Sequence, residues 1–247
     1  MRQSRIHFYI RRSHRWLGFI IGIQFLAWTI GGLYFSWSDM DEVHGDYEHI
    51  QPSLIGSKVT LHSPMLLLDT LNKIEALDSI SDVRLVTILN KPHWLISYFP
   101  KGHERHHTKY ILGDAESGSI RPSLTKEECV LVAINSYTGN KKLEHVEFLT
   151  QTDKHHEYRG QPLPAYAITF GTQSPVTFYI PADIGVVQKV RNTPWRRFDF
   201  LWMLHTMDYS GRDNITNWLL RFFSILGLVT VLSGFTLFYF SMKRKSS

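Results

Sequence analysis

The chain has 247 residues and a formal net charge of +5, from 27 lysines and arginines against 22 aspartates and glutamates. Eight of the basic residues lie within the first fifteen and the last five residues, which leaves 19 for the rest of the chain. The excess of positive charge therefore belongs to the termini, and it does not indicate binding of nucleic acid. A single cysteine, Cys129, excludes an intrachain disulfide, so any folded domain depends on its hydrophobic core.

Two apolar stretches bracket the chain, one over residues 16–37 and one over residues 218–240. About 20 apolar residues in a helix are enough to cross the hydrocarbon layer of a bilayer. The sequence therefore predicts a membrane protein with two transmembrane helices, whose first partner is the lipid bilayer. An even number of crossings places the residues between the helices, 38–217, on one side of the membrane.

Charged residues beside the two helices predict the orientation. Residues 1–15 carry five arginines and no acid, and the tail 241–247 carries three more basic residues. Because basic flanks are retained in the cytoplasm, both termini are expected there, with the central domain in the periplasm of a bacterial inner membrane. A cleaved signal peptide is the alternative for the first stretch, but its 22 residues and the lack of an Ala-x-Ala-like site favour a retained anchor.

The central domain, residues 38–195, reads as two copies of one α+β unit, at about 60–121 and 122–192. Each copy has a helical pattern, three alternating strand-like stretches, a turn and then a short apolar stretch in which strand structure resumes. One copy is too small to bury its own helix, so both are expected to share a core. The amphipathic segment 196–217 is expected along the outer membrane surface. The predicted helices are 66–77 and 126–137, and the predicted strands are 83–89, 94–99, 108–112, 144–150, 165–170 and 176–180, with resumptions at 120 and 186–187.

Short motifs mark both membrane helices. They are Arg11-Arg12-Ser13-His14-Arg15-Trp16-Leu17-Gly18 and Gly31-Gly32-Leu33 in the first, and Leu204-His205, Gly211-Arg212, Trp218-Leu219-Leu220 and Leu232-Ser233-Gly234 in or before the second. These motifs resemble the PepSY-associated transmembrane family, and the repeated unit resembles the PepSY module. The resemblance implies a minimal two-span relative of iron-regulated inner-membrane proteins and of haem-containing reductases of ferric siderophores.

Thirteen histidines raise the question of haem b, which membrane electron carriers hold between two imidazoles at equal depth. The resemblance singles out His14 and His205, and position adds His44 on the outer side. His14 and His205 are expected at opposite ends of a span, too far apart for one haem. Haem therefore requires His205 with His44, or either His14 or His205 with its copy in a homodimer. Without haem, His14 is an interfacial residue among arginines, and His205 hydrogen-bonds to a lipid head group or to Asp208.

A second group of histidines, His103, His106 and His107, surrounds a glutamate in a predicted loop. Neighbouring imidazoles and a carboxylate could hold zinc or copper, although Arg105 among them opposes a cation. Adjacent loop histidines are more often simply solvated.

Enzyme signatures for metalloproteases, serine hydrolases, phosphate-binding loops and dinucleotide-binding folds do not occur in the sequence. Three hypotheses follow. The favoured one is a non-enzymatic binding or regulatory module in an iron-uptake setting, which engages a partner protein through exposed strand edges. The others are a haem-binding electron-transfer component, which would be an oxidoreductase, and a metal-binding protein that uses the histidine loop.

Overall fold

A computed structural model describes residues 2–102 and 108–245 of the chain. Contacts divide the chain into two compact units: residues 1–39 with 196–247, here the helical unit, and residues 40–195, here the sheet unit. The helices are α1 (Arg2–Trp37), α2 (Met40–His44), α3 (Met65–Ile74), α4 (Lys126–Ser136), α5 (Thr193–Thr206) and α6 (Trp218–Lys245). The strands are β1 (Leu77–Ile88), β2 (Lys91–Pro100), β3 (Lys109–Asp114), β4 (Ile120–Arg121), β5 (Leu143–Leu149), β6 (Ala165–Phe170), β7 (Val176–Pro181) and β8 (Lys189–Arg191).

Two helices of the helical unit are long and apolar enough to cross a membrane, over Phe8–Trp37 and Trp218–Met242. The prediction of two membrane helices is confirmed as far as helix length and apolar composition test it. The first apolar helix begins eight residues before the predicted start at residue 16, because Phe8, Tyr9 and Ile10 extend the apolar pattern past the arginines.

Helices α1 and α6 pack as an antiparallel pair. A Cβ added to Gly227 would lie 3.6 Å from the ring of Phe25, and one added to Gly234 would lie 3.3 Å from the ring of His14. Small residues let two helix backbones approach closely in a membrane. Gly227 and Gly234 therefore face α1. Gly18 and Gly22 face open space instead.

The sheet unit contains the predicted repeat of a helix followed by four strands. Helix α3 precedes a four-stranded antiparallel sheet in the order β1-β2-β3-β4, and α4 precedes a second in the order β5-β6-β7-β8. The α+β class is therefore confirmed. The prediction that strand structure resumes at 186–187 is wrong. Val186 and Val187 pack against the core from a loop, and the last strand begins at Lys189. Helix α3 ends at Ile74, and Leu77 already belongs to β1.

One central core joins both sheets, as the two-copy pattern predicts. Leu95 of the first sheet, Phe178 of the second sheet and Ala133 of α4 all belong to it, and each is fully buried. Successive residues of a strand face opposite sides of a sheet, so Ile96 packs away from this core, against Leu67 of α3. The fold thus places α4, but not α3, at the contact between the two repeats.

Helix α4 begins with a complete capping box. The Thr125 hydroxyl accepts from the Glu128 backbone N–H, and the Glu128 carboxylate accepts from the Thr125 N–H. Arg121 at the end of β4 donates to both carboxylate oxygens of Glu128, at 2.9 and 3.0 Å. Cys129 in the next turn is fully buried, and burial raises the pKa of its thiol to about 12.

Candidate functional site

A cavity of about 750 Å³ lies in the sheet unit where four segments meet. Both repeats contribute to it, together with the stretch that precedes the first repeat. The lining residues are His49–Ile55, the end of β1 and the following turn (Leu85, Val86, Thr87, Leu89, Asn90), one face of α4 (Val132, Asn135, Ser136), and Val186 and Val187. We call it the repeat cavity.

The stretch before the first repeat is held against both repeats by a few hydrogen bonds. The Ile50 N–H donates to Ser136 O at 2.7 Å, and His49 forms an isolated bridge with Tyr137. Further on, the Thr87 hydroxyl donates to Ser53 O at 3.1 Å. These bonds hold the wall that residues 49–55 form at its start and at Ser53.

The walls of the repeat cavity are mainly apolar, and half-buried His49 and exposed Asn135 are among the polar residues that line it. Leu54 stands on the rim of the cavity with 98% of its surface exposed. Burial lowers the pKa of His49, and the nearby Asp46 only partly opposes that effect. Neutral imidazole and the Asn135 amide can then offer hydrogen bonds beside an apolar wall. This is the composition expected of a site that takes an apolar side chain or ligand and orients it by a few polar contacts.

In the helical unit, α5 runs antiparallel to α1. The rings of Phe198 and Phe35 lie 4.6 Å apart near one end of the contact. At the other end, Gln24 Nε2 donates to Leu204 O at 3.2 Å and Trp28 Nε1 donates to His205 O at 2.9 Å. The last carbonyls of a helix have no partner within the helix. Side chains of α1 satisfy them here, as an apolar environment requires.

A cavity of about 410 Å³ lies beside the C-terminal turn of α5, and we call it the His205 cavity. Its lining residues are Trp28, Trp202, His205, Thr206, Ile215, Leu220 and Ser224. The ring of Trp202 is nearly parallel to that of His205, with the centroids 6.1 Å apart. Nδ1 of His205 is buried and has no hydrogen-bond partner among the described residues.

The connection from α5 to α6 is built around Asp208, which is buried. Its carboxylate accepts from the backbone N–H groups of Gly211 and Asn214, at 3.1 and 2.8 Å. Hydrogen bonds from these N–H groups and from the Ser210 hydroxyl outweigh burial, and they lower the pKa of Asp208. The expectation of a hydrogen bond between His205 and Asp208 is not met, since this carboxylate bonds within its own turn.

His14 and His205 lie at different levels of α1. The Nδ1 atom of His14 lies 2.7 Å from the Ser233 hydroxyl oxygen, while His205 is bonded through its carbonyl to Trp28. Fourteen residues separate His14 from Trp28, which corresponds to about 21 Å along a helix. One haem could not bridge the two rings. His44 ends α2 in the sheet unit and is exposed.

Histidine ligands of metals usually donate their second ring N–H to a carboxylate, a carbonyl or water. His14 has such an arrangement, because the Ser233 hydroxyl donates its own proton to Thr230 O and therefore accepts from His14 Nδ1. His205 does not, since no acceptor for its Nδ1 lies among residues 2–102 and 108–245. The surroundings of His205 thus fit a haem ligand poorly, and haem ligation by His14, His44 or His205 stays a prediction.

The metal site expected at His103, His106 and His107 lies outside the described residues. Within the part of the chain that the structure describes, no group of three histidine, cysteine or acidic side chains is placed to hold a metal ion.

No family model, no curated protein and no solved structure matches this chain. The resemblance to the PepSY-associated transmembrane family therefore rests on the motifs in the sequence. Sequence reasoning missed both cavities. A local sign of the repeat cavity in the sequence was the apolar pair Leu54 and Ile55 after Pro52, in a stretch without helical or strand periodicity.

Proposed function

We propose that this protein is a membrane-anchored binding module of the PepSY type, and that its sheet unit holds an extended apolar segment of a partner protein. The observation that carries the proposal is the repeat cavity, about 750 Å³ of mainly apolar space between the two repeats. A cavity of this size accepts one or two large side chains.

The neighbourhood of the cavity favours a peptide segment as the occupant. In the part of the chain that the structure describes, strand β1 pairs only with β2 and is therefore an edge strand, and its last residues line the cavity. An edge strand offers unpaired backbone groups to an incoming strand, while a nearby pocket selects a side chain. An apolar residue of the partner in the cavity, next to backbone pairing along β1, would use both features.

The setting of the proposal comes from the sequence. Basic flanks on both membrane helices support cytoplasmic termini and a sheet unit outside the bacterial inner membrane. The resemblance to PepSY-associated membrane proteins adds iron uptake as the process. Binding without catalysis is the activity that we propose within it.

Site-directed photo-crosslinking in cells tests the proposal. A photoreactive residue at Leu54 is expected to join covalently to one partner protein, because this side chain stands fully exposed on the rim. Filling the cavity with Asn135→Trp should then remove the crosslink, since Asn135 is an exposed lining residue of α4. Leu131→Trp is the matched control, at an exposed position of the same helix that does not line the cavity.

A crosslink at Leu54 that persists in Asn135→Trp, or that Leu131→Trp removes equally, would contradict the proposal. Haem binding is the competing function. An oxidised and a reduced optical spectrum of the detergent-purified protein tests it, with His14→Ala and His205→Ala as variants. A sharp reduced band lost in one variant would establish a haem protein and identify an axial ligand.

A further inference from the structure

The geometry points to a second ligand site in the helical unit: we propose that the His205 cavity binds the ring of a lipid-soluble quinone, with the His205 ring donating a hydrogen bond to a quinone carbonyl. This site is separate from the repeat cavity, so neither proposal depends on the other.

The proton of His205 can be placed from the hydrogen bonds around it. Nδ1 is buried without a partner. Buried N–H groups without an acceptor are rarer in proteins than buried acceptors without a donor. A proton on Nδ1 would be left without an acceptor among the described residues, which places a ring proton on Nε2, the other ring nitrogen. His205 presents a hydrogen-bond donor there and no lone pair for a metal.

Other polar groups near the His205 cavity already donate hydrogen bonds to backbone carbonyls. The Thr206 hydroxyl donates to Trp202 O at 3.0 Å, and the Ser224 hydroxyl donates to Leu220 O at 2.8 Å. The indole N–H of Trp28 donates to the His205 carbonyl. A ligand of this cavity should therefore be largely apolar and carry an acceptor for His205. An oxidised quinone has carbonyl acceptors and no donors.

Two ring contacts set the level of His205 along α1. Its ring centroid lies 6.2 Å from the indole of Trp28 and 5.8 Å from the ring of Phe35. In a membrane-spanning α1, the donor therefore lies in the part of the helix that approaches Trp37. A quinone head group and a phospholipid ester carbonyl can both reach this level, and saturable binding of a quinone distinguishes them.

The size and the walls of the cavity also suit a ring. About 410 Å³ is within the range of small-molecule sites, and the indoles of Trp28 and Trp202 provide flat apolar surface. Ser224 is exposed on α6, so the cavity is open at this helix. A long isoprenoid tail could leave there into the surrounding lipid.

Calorimetric titration of the detergent-purified full-length protein with decylubiquinone tests the proposal. Saturable binding of one molecule per chain is expected. His205→Leu should weaken it about tenfold or more, the effect of losing one hydrogen bond in an apolar site. His205→Gln keeps an amide N–H donor and should recover most of the affinity. That recovery distinguishes a donor from a side chain needed only for packing.

Ser224→Leu should block binding by filling the cavity, without touching His205. Thr236→Leu is its matched control, because Thr236 is also exposed on α6 and also donates to a helix carbonyl, but it does not line the cavity. Binding that does not saturate would overturn the proposal. So would equal affinity of His205→Leu and the unchanged protein, provided that both elute as single species of the same size.

Discussion

At the scale of single residues, Gly185 occupies a position where a larger side chain would not fit. Gly185 follows the turn after β7 with φ +75, and an added Cβ would lie 2.6 Å from Ile88 Cδ1 and 2.9 Å from Leu124 Cδ1. Both neighbours are buried, and Ile88 belongs to the other repeat. This glycine therefore lets the two repeats meet in one core.

Gly185→Ala is expected to lower the free energy of unfolding by about 2–4 kcal/mol, from left-handed backbone strain and overpacking together. Thermal or denaturant unfolding of the full-length protein in detergent measures this. Gly171→Ala is the control for strain alone, because Gly171 has φ +73 but its nearest contact would be Ser174 O at 3.7 Å. Equal losses in the two variants would show that the contact with Ile88 and Leu124 contributes nothing.

The lowered pKa of the Glu128 carboxyl predicts that the protein loses stability in acid. Burial would raise the pKa of its carboxyl, but the hydrogen bond from Thr125 N–H and the Arg121 guanidinium lower it below the ordinary value of 4.5. A group whose pKa is lower in the folded state stabilises the protein above its unfolded-state pKa, and this contribution disappears as the pH falls through the folded-state pKa.

We expect Glu128→Gln to be less stable than the unchanged protein at pH 6, and the difference between the two to shrink below pH 4. Unfolding midpoints at a series of pH values from 6 to 3 provide the comparison. A constant difference over this range would contradict the assignment of the pH dependence to Glu128.

At the scale of elements, the pairing of α1 with α6 depends on small residues and on one polar contact. His14 and Ser233 form that contact, and Gly234 beside them leaves room for the imidazole ring. In lipid, no hydrophobic effect drives two helices together, so close packing and interhelical hydrogen bonds stabilise the pair.

Gly234→Val should therefore weaken the helix pair, since a side chain there would push against the His14 ring. Gly22→Val should not, because a Cβ at Gly22 meets nothing within 4 Å. Thermal unfolding in detergent is expected to show a lower midpoint for the first variant only. A loss confined to Gly22→Val would instead indicate that the exposed face of α1 contacts a second copy.

At the scale of the whole molecule, the charge pattern predicts that the arginine-rich N-terminal end of α1 and the residues between the membrane helices lie on opposite sides of the membrane. Cys129 is buried and its thiol has a raised pKa, so it should not react with a maleimide in the folded protein. An added cysteine can then report its own exposure.

In whole bacterial cells, Ser57→Cys should react with a membrane-impermeant maleimide and Ser4→Cys should not. Ser57 lies in an exposed stretch of the sheet unit, and Ser4 lies among the N-terminal arginines. After the cells are lysed, both should react. Labelling of Ser4→Cys in intact cells would reverse the predicted orientation.

Much of the architecture was accessible from the sequence because it depends on local patterns. The length of an apolar run indicates a membrane helix, and the short run of apolar and aromatic residues at 94–99 favours a strand, without knowledge of distant residues. Thr125 with Glu128 marks the start of α4 in the same way. The last strand was misplaced because Val186 and Val187 are equally apolar in a strand or in a loop that packs on the core.

The sequence by itself determined two helices long and apolar enough to cross a membrane, and an α+β domain with an internal repeat. Only the tertiary structure decided where the cavities lie, because their walls come from segments far apart in the chain. The repeat cavity combines residues 49–55 with α4 and Val186–Val187. The tertiary structure also decided the chemistry of the histidines. The proton of an imidazole is placed by its hydrogen-bond partners, and Ser233 is 219 residues from His14.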